Sequence, residues 1–342
     1  MPSTHSTIVN LIVHKLLKNA HENADIELRP GGIVNVTPTA QRVIDELHKL
    51  YSERTGKGYG TFDNDENNFP MSRYVRQHFI DNSIDFSALT KLMMEHLKVR
   101  SSEEQLATGG HVLIAHVNNG ATDFLLTAIV TDTIGAAITA GAMDFIDSIY
   151  LDISHFRFAG RINLTSWQAA DEERYISFLK GSGDVSGYFK KFLGCNDVLS
   201  ARRETQKLIE GLGLFATNQH LELEKRDSFF EHVHSYLNDL AKNNMPLSLD
   251  ALANNLWSNA PNDLLAVLTD ESLELSDGFV PDKKEIKKLV KFKGIAAHWK
   301  LEFDREALRF EDVRYNKNNN TLILSNVPDA LRLELLAELG DG

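Results

Sequence analysis

Six lysines, Lys283, Lys284, Lys287, Lys288, Lys291 and Lys293, fall within eleven residues. Residues 283–300 hold seven lysines against Glu285 alone, whereas residues 263–282 hold six carboxylates and no lysine or arginine, so the charge reverses at Asp282. Read as a helix over 283–293, the i, i+3, i+4, i+7 spacing sets Lys284, Lys287, Lys288 and Lys291 on one face and turns Ile286, Leu289 and Val290 to the other. Asp282 then caps the helix, Glu285 completes an acidic capping arrangement and Gly294 ends it. Ammonium groups one turn apart can meet successive phosphates of a polyanion, each neutralised phosphate releasing a condensed counterion. Such contacts carry no base information. A surface helix kept soluble by its lysines shows the same pattern. Lys190-Lys191 and Arg202-Arg203 with Lys207 are smaller basic spots that either extend such a track or belong to ordinary surface.

Catalytic constellations are weaker. Asp282, Glu285 and Lys287 have the letters of a metal-dependent nuclease core, but such cores bring acids from adjacent strands onto a divalent ion, and here all three lie within one or two helical turns. Gly181-Ser182-Gly183 with Gly187 follows a helical pattern and lacks the strand-to-helix turn of a phosphate loop. His232 and His234 diverge on a helix, His111 and His116 face opposite sides of a strand, and no zinc signature stands out. Asp152, Ser154 and His155 contain the letters of a hydrolase triad without a nucleophile elbow. Cys195, beside Gly194, reads as packing. The expectation is a protein with no catalytic centre, metal or cofactor.

The chain that must position the lysines has 342 residues, 42% of them hydrophobic, which suits two or three folding units and excludes wholesale disorder. A net charge of −12 argues against a surface that coats nucleic acid or anionic membrane all over, so a polyanion site has to be local. The longest charge-free apolar stretch, 133–143, is well short of the ~20 residues that span a membrane. Residues 1–7 lack the basic and apolar segments of a secretion signal, and a single cysteine makes no internal disulfide, which points to a reducing cytoplasm.

The patterning predicts an α+β fold: an N-terminal α+β domain over 1–170, a mainly helical region over 171–275, and a C-terminal α+β unit with the basic helix over 276–342. Residues 8–13 read as a strand, and Thr37 caps a helix carrying Val43, Ile44, Leu47 and Leu50. Residues 59–68 read as a solvated loop, and Phe86, Leu89, Leu92, Met93 and Leu97 mark a helix after Asp85. Residues 111–117 and 123–130 flank Asn118-Asn119-Gly120 as a hairpin. Tyr175, Phe178 and Leu179 open the helical region; a second hairpin, 309–315 with 321–324, and a last helix after Pro328 close the chain.

Four ordered blocks resemble the bacterial nucleoid-associated protein family known as NdpA or YejK. They are Tyr150-Leu-Asp-Ile-Ser-His155 continuing through Arg161-Ile-Asn-Leu-Thr-Ser-Trp167; Arg174-Tyr-Ile-Ser-Phe-Leu-Lys-Gly181; Tyr188-Phe-Lys-Lys-Phe-Leu-Gly194; and the run from Phe279-Val-Pro-Asp-Lys-Lys through Lys291-Phe-Lys-Gly294. The resemblance implies a cytoplasmic protein of the bacterial nucleoid that associates with DNA and has no established catalytic activity. It carries over no list of DNA-contacting residues. Joined to the lysine block, it gives the expectation of non-catalytic, largely sequence-independent binding of double-stranded DNA by a homodimer, possible partners among other nucleoid proteins, and no membrane. Asp152, His155, Arg161 and Trp167 are expected to form a buried polar network with an aromatic anchor; the alternative for the same residues is a binding role, since polar side chains beside aromatics also suit phosphate or partner recognition. The alternatives are an adaptor that binds another DNA-maintenance protein through the acidic 263–282 stretch and never touches DNA, and the metal-dependent nuclease.

Overall fold

β1 (Thr7–Leu17) forms where apolar residues crowd the start of the chain, and it buries Ile8, Leu11, Ile12 and Leu16. The computed structural model describes residues 6–156, 158–169, 174–180, 187–196, 200–308 and 310–340. Gly181, Ser182 and Gly183 lie outside them, as does Arg309 at the expected start of the closing hairpin. Contacts divide the chain into two compact units, Met1–Phe215 with Leu247–Phe279, and Ala216–Pro246 with Val280–Gly342.

In the first unit β1 is followed by β2 (Asp25–Glu27), α1 (Pro38–Glu53), β3 (Lys57–Phe62), α2 (Met71–Phe79), α3 (Phe86–Ser102), β4 (Gly110–Asn118) and β5 (Asp123–Val130). A hairpin of β6 (Asp132–Ile138) and β7 (Phe145–Leu151) precedes β8 (Phe158–Asn163), α4 (Leu164–Ala169), β9 (Ile176–Leu179), α5 (Gly187–Phe192), β10 (Cys195–Asn196) and α6 (Ala201–Asn218). After α7 (Leu223–Lys242), which belongs to the second unit, the chain returns with α8 (Leu249–Leu256) and α9 (Pro261–Leu268). Eight strands form one antiparallel sheet in the order β10-β3-β9-β8-β5-β4-β1-β2. With helices beside an antiparallel sheet, the class is α+β.

Alternation along the strands splits the apolar residues between two layers. Ile12, Val112, Ile114, Leu125 and Ile162 join Met71, Met93, Leu97 and Phe192 from α2, α3 and α5 in one cluster. Leu11, Leu113, Leu126 and Ala128 join Ile44, Leu47 and Tyr51 from α1 in the other. The caps are those the sequence indicates: Thr37 accepts from the Ala40 amide and Asp85 from the Ala88 amide. Two expectations need correction. Residues 59–62 belong to β3, and the solvated turn begins only at Asp63. Residues 176–179 form β9, not a helix; all four are buried, and a run apolar on both faces has no periodicity that separates strand from helix.

Among the described residues, β6 and β7 pair with each other and with no other strand. Register sets Ile134 opposite Ile149 and Ile138 opposite Phe145 on one face, all at least 63% exposed. In the second unit α7 is followed by α10 (Lys283–Ile286), the hairpin β11 (Lys291–Ile295) and β12 (Lys300–Asp304), the hairpin β13 (Val313–Asn316) and β14 (Thr321–Leu324), and α11 (Asp329–Leu339).

His14, His48 and His96 are each pushed down by burial to about 4 from the ordinary 6.5, with nearby cations acting in the same direction. His14 also shows the geometric cost of protonation: Nδ1 accepts from the Arg29 amide at 3.0 Å while Nε2 lies 3.1 Å from Thr90 Oγ1. The unfolded chain takes up these protons at higher pH than the folded one, so the stability they contribute is complete above 6.5 and is lost as pH falls toward 4. The urea midpoint is therefore expected to fall between pH 7 and pH 5, and His96→Leu to show a smaller fall. A midpoint with no pH dependence in that interval would contradict the assignment.

Candidate nucleic-acid interface

The lysine block does not form the continuous helix its spacing indicates. Asp282 does act as the cap, its carboxylate accepting from the amides of Lys284 and Glu285 at 2.9 and 3.0 Å, but α10 ends after four residues and passes into a 3-10 turn over Lys287–Leu289. Lys291 and Lys293 then lie on β11. The strand forms because Phe292 pairs with Phe303 of β12, their ring centroids 5.4 Å apart, while Lys291 and Lys293 stand opposite Asp304 and Glu302. Gly294 does not end a helix. It sits in β11, where an added Cβ would come within 3.2 Å of the Trp299 ring. The Arg305 guanidinium donates to the Lys288 carbonyl at 3.1 Å and stacks 4.2 Å from Phe292, so the end of the turn is held by the hairpin.

Two lysine environments result. Lys283, Lys284, Lys287 and Lys293 are exposed and form no ion pair among the described residues. Lys288 binds the buried Glu285, and Lys291 lies 3.8 Å from Glu302 and 3.6 Å from Asp304. Ile286 and Leu289 are buried beneath the turn, where it packs on α7. The turn thus presents Lys283, Lys284 and Lys287 to solvent together. The other acids of the nuclease-like triplet are committed, Asp282 to the cap and Glu285 to Lys288. Among the described residues no three His, Cys, Asp or Glu side chains come together to hold a metal ion. The triad-like letters also fail geometrically: Asp152 and Ser154 both meet Nδ1 of His155, at 2.8 and 3.0 Å, whereas a triad places them on opposite ring nitrogens.

The expected polar network exists around Arg161 but with other partners. Arg161 is buried on β8, its Nη2 2.6 Å from Glu271, its Nη1 3.2 Å from His48 Nε2, and its guanidinium 4.3 Å above the Phe124 ring. Ser52 donates to Glu271 at 2.9 Å, and Lys57 lies 4.0 Å from it. Burial pushes the Glu271 carboxyl up, but the Arg161 charge and hydrogen bond, with Lys57, outweigh it and hold the group below its ordinary value. Burial lowers Lys57 to about 8, with Glu271 opposing and Arg161 assisting. Asp152 and His155 pair with each other at the surface, and Trp167 packs edge-on against Phe62. Nothing in the spacing from Arg161 to Glu271 marks them as partners.

Arg161 opens into a cleft of about 520 Å³, within the first unit, that sequence reasoning missed. Arg174 lines it with Nη2 2.5 Å from the fully buried Glu204 and Nη1 3.2 Å from Ser276 Oγ. Lys207 lines it 3.2 Å from Glu274. Arg203, Tyr59 and Asn163 are among the other polar residues on its wall. The sequence singled out the Arg202-Arg203 and Lys207 spot and, separately, Arg161, but gave no sign that they meet at one cleft.

Fold and sites together define an α+β protein that carries local cationic groups on a chain of net negative charge. The family model for the nucleoid-associated protein YejK matches residues 12–332, and the chain belongs to that family. Among similar proteins, a nucleoid-associated protein of Metapseudomonas resinovorans is 28% identical over 331 residues, covering 96% of this chain and 98% of its own. One from Pseudomonas putida KT2440 is 29% identical over 327 residues, with coverages of 95% and 97%. One from Pseudomonas syringae pv. tomato is 28% identical over 298 residues, with coverages of 86% and 89%.

The two charge environments differ in energetic weight. Arg161→Met leaves Glu271 without its main partner and is expected to lower the unfolding free energy by roughly 3 kcal/mol. Lys291→Met removes a solvent-screened pair and should change it by less than about 0.5 kcal/mol. Urea unfolding of both variants checks this, and equal losses would contradict the assigned burial.

Proposed function

We propose that this protein binds double-stranded DNA in the bacterial nucleoid without catalysing a reaction on it. Lys283, Lys284, Lys287 and Lys293 make the main contacts, and Lys288 and Lys291, shared with carboxylates, add less. The observation that carries this reading is the exposed, unpaired set of lysines on one short segment of an otherwise acidic chain. The family name and the names of the relatives support the nucleoid setting. Ammonium groups meet phosphates as point charges, so little base preference follows. A protein of the cytoplasm fits this role, and no helix among the described residues is long and apolar enough to cross a membrane.

The working form in this reading is a homodimer joined through the exposed face of the β6–β7 hairpin. An isolated two-stranded hairpin is marginal in water, and a second copy brings the same self-complementary strand edge and apolar face. Two basic turns on one particle then share a DNA segment and offset the acidic remainder.

Titration of a labelled duplex between 50 and 200 mM salt is expected to give a slope of log affinity against log salt of about −3.6 per chain, from four phosphates at ~0.9 each. Changing Lys283, Lys284, Lys287 and Lys293 together to Glu should abolish binding at low salt, while Lys288→Glu with Lys291→Glu should weaken it less. Wild-type protein that fails to bind duplex at low salt would overturn the reading in favour of the adaptor. Plasmid nicked in the presence of magnesium or manganese would overturn its non-catalytic part.

Light scattering should give twice the 38.4 kDa chain mass for the wild type, and Ile134→Asp with Ile149→Asp should return it to one. A monomeric wild type, or a variant that stays dimeric, would refute the hairpin interface.

A further inference from the structure

We infer that the cleft beside Arg161 is a binding site for a phosphate monoester of about mononucleotide size, built from other residues and other chemistry than the lysine turn. Four cations, Arg161, Arg174, Arg203 and Lys207, line the cleft against two carboxylates, Glu271 and Glu274. The surplus of two positive charges matches a phosphate dianion. Both carboxylates are already engaged, Glu271 by Arg161 and Glu274 by Lys207, so the surplus is not cancelled by the residues that line the cleft.

The donors are also unspent. A guanidinium carries five N–H groups. Arg161 directs Nη1 and Nη2 at His48 and Glu271, Arg174 directs its own at Ser276 and Glu204, and these contacts leave N–H groups over on two side chains that line the cleft. Arg203 is exposed and forms no ion pair among the described residues. Tyr59 supplies the second, independent indication. It is only 6% exposed and lines the cleft, yet its hydroxyl makes no hydrogen bond to any described residue. The Tyr59 hydroxyl is not among the described side-chain atoms that are buried without a partner, so it keeps access to the open cleft and can donate to an anion there, whereas the buried Tyr51 hydroxyl is satisfied by Ser177 at 2.7 Å.

Size separates an ester from the bare ion. At about 520 Å³ the cleft lies in the roughly 300–1,000 Å³ range of small-ligand sites, and the rings of Tyr59 and Tyr175 on its wall give an organic substituent surface to cover. The carboxylates favour the same class. Fixed ion pairs hold the guanidinium groups in place before the ligand arrives, so less ordering is required on binding.

The test is calorimetric titration of the full chain with AMP, glucose 6-phosphate, inorganic phosphate and adenosine. AMP or glucose 6-phosphate is expected to bind, with inorganic phosphate weaker and adenosine silent; which ester binds tighter separates a nucleotide from a sugar phosphate. Arg203→Glu, an exposed change, should weaken the ester at least tenfold, and Tyr59→Phe, which keeps the ring, by three- to tenfold. Lys284→Glu with Lys287→Glu should leave it unchanged, so the DNA reading and this one fail separately. No binding of either ester at millimolar concentration, binding no tighter than that of adenosine, or affinity that survives both cleft variants would overturn the inference.

Discussion

The first unit depends on one physical constraint: a guanidinium buried on a central strand must find an anion, and the anion it finds is far away in the sequence. Arg161 sits on β8, and Glu271 arrives on a segment that follows the whole of α7. Arg161 is almost wholly buried, so losing its partner is costly and the returning chain is tied to the sheet at this point. Arg174 pairs with Glu204, which also accepts from the Ser276 amide at 2.8 Å, and ordinary hydrogen bonds from Lys180 to the Asp277 carbonyl at 2.8 Å and from the Asp277 amide to Lys57 O at 3.0 Å add to the hold on the returning segment. Such pairs add little net energy over a well-packed apolar contact. Their effect is on register, because an orphaned charge penalises every other arrangement of the returning segment.

That device also explains what could be read in the sequence and what could not. Elements with a one-sided period, such as α1 and α3, and the hairpin around Asn118-Asn119-Gly120, follow from local pattern and caps. β9 does not, because a strand buried on both faces reads as an undifferentiated apolar run. The lysine segment misled for a different reason. Its charges repeat at helical spacing, but Phe292, Trp299, Leu301 and Phe303 hold a hairpin that consumes the second half, and cross-strand pairing outweighs the propensity of Lys and Leu for helix. The cleft was least legible, since its polar and charged residues come from β3, β8, the start of β9, α6 and the 271–274 segment and meet only in three dimensions.

The acidic stretch before the lysines has a similar lesson. Six carboxylates in 263–282 look like a surface for a basic partner, yet Glu271 and Glu274 are held by Arg161 and Lys207, Asp277 accepts from the Leu249 amide at 3.1 Å, and Asp282 caps α10. Four of the six thus have structural work inside their own units. The reversal of charge at Asp282 is therefore weaker at the surface than in the sequence: Glu271 and Glu274 are paired with cations on one side of it, and Lys288 and Lys291 with carboxylates on the other.

The basic groups of the molecule then divide by chemistry. Lysines on the turn are hydrated point charges on flexible stems, suited to a polyanion whose phosphates are many, interchangeable and screened by salt. In the cleft, Arg161 and Arg174 are planar and fixed by carboxylates, and Arg161 also lies over the Phe124 ring, an arrangement suited to one anion of defined shape and less exposed to screening. An acidic chain can support both because neither relies on the mean field: the turn works within a Debye length of its own amines, and the cleft within the reach of its hydrogen bonds. Raising salt should therefore release the first kind of ligand well before the second.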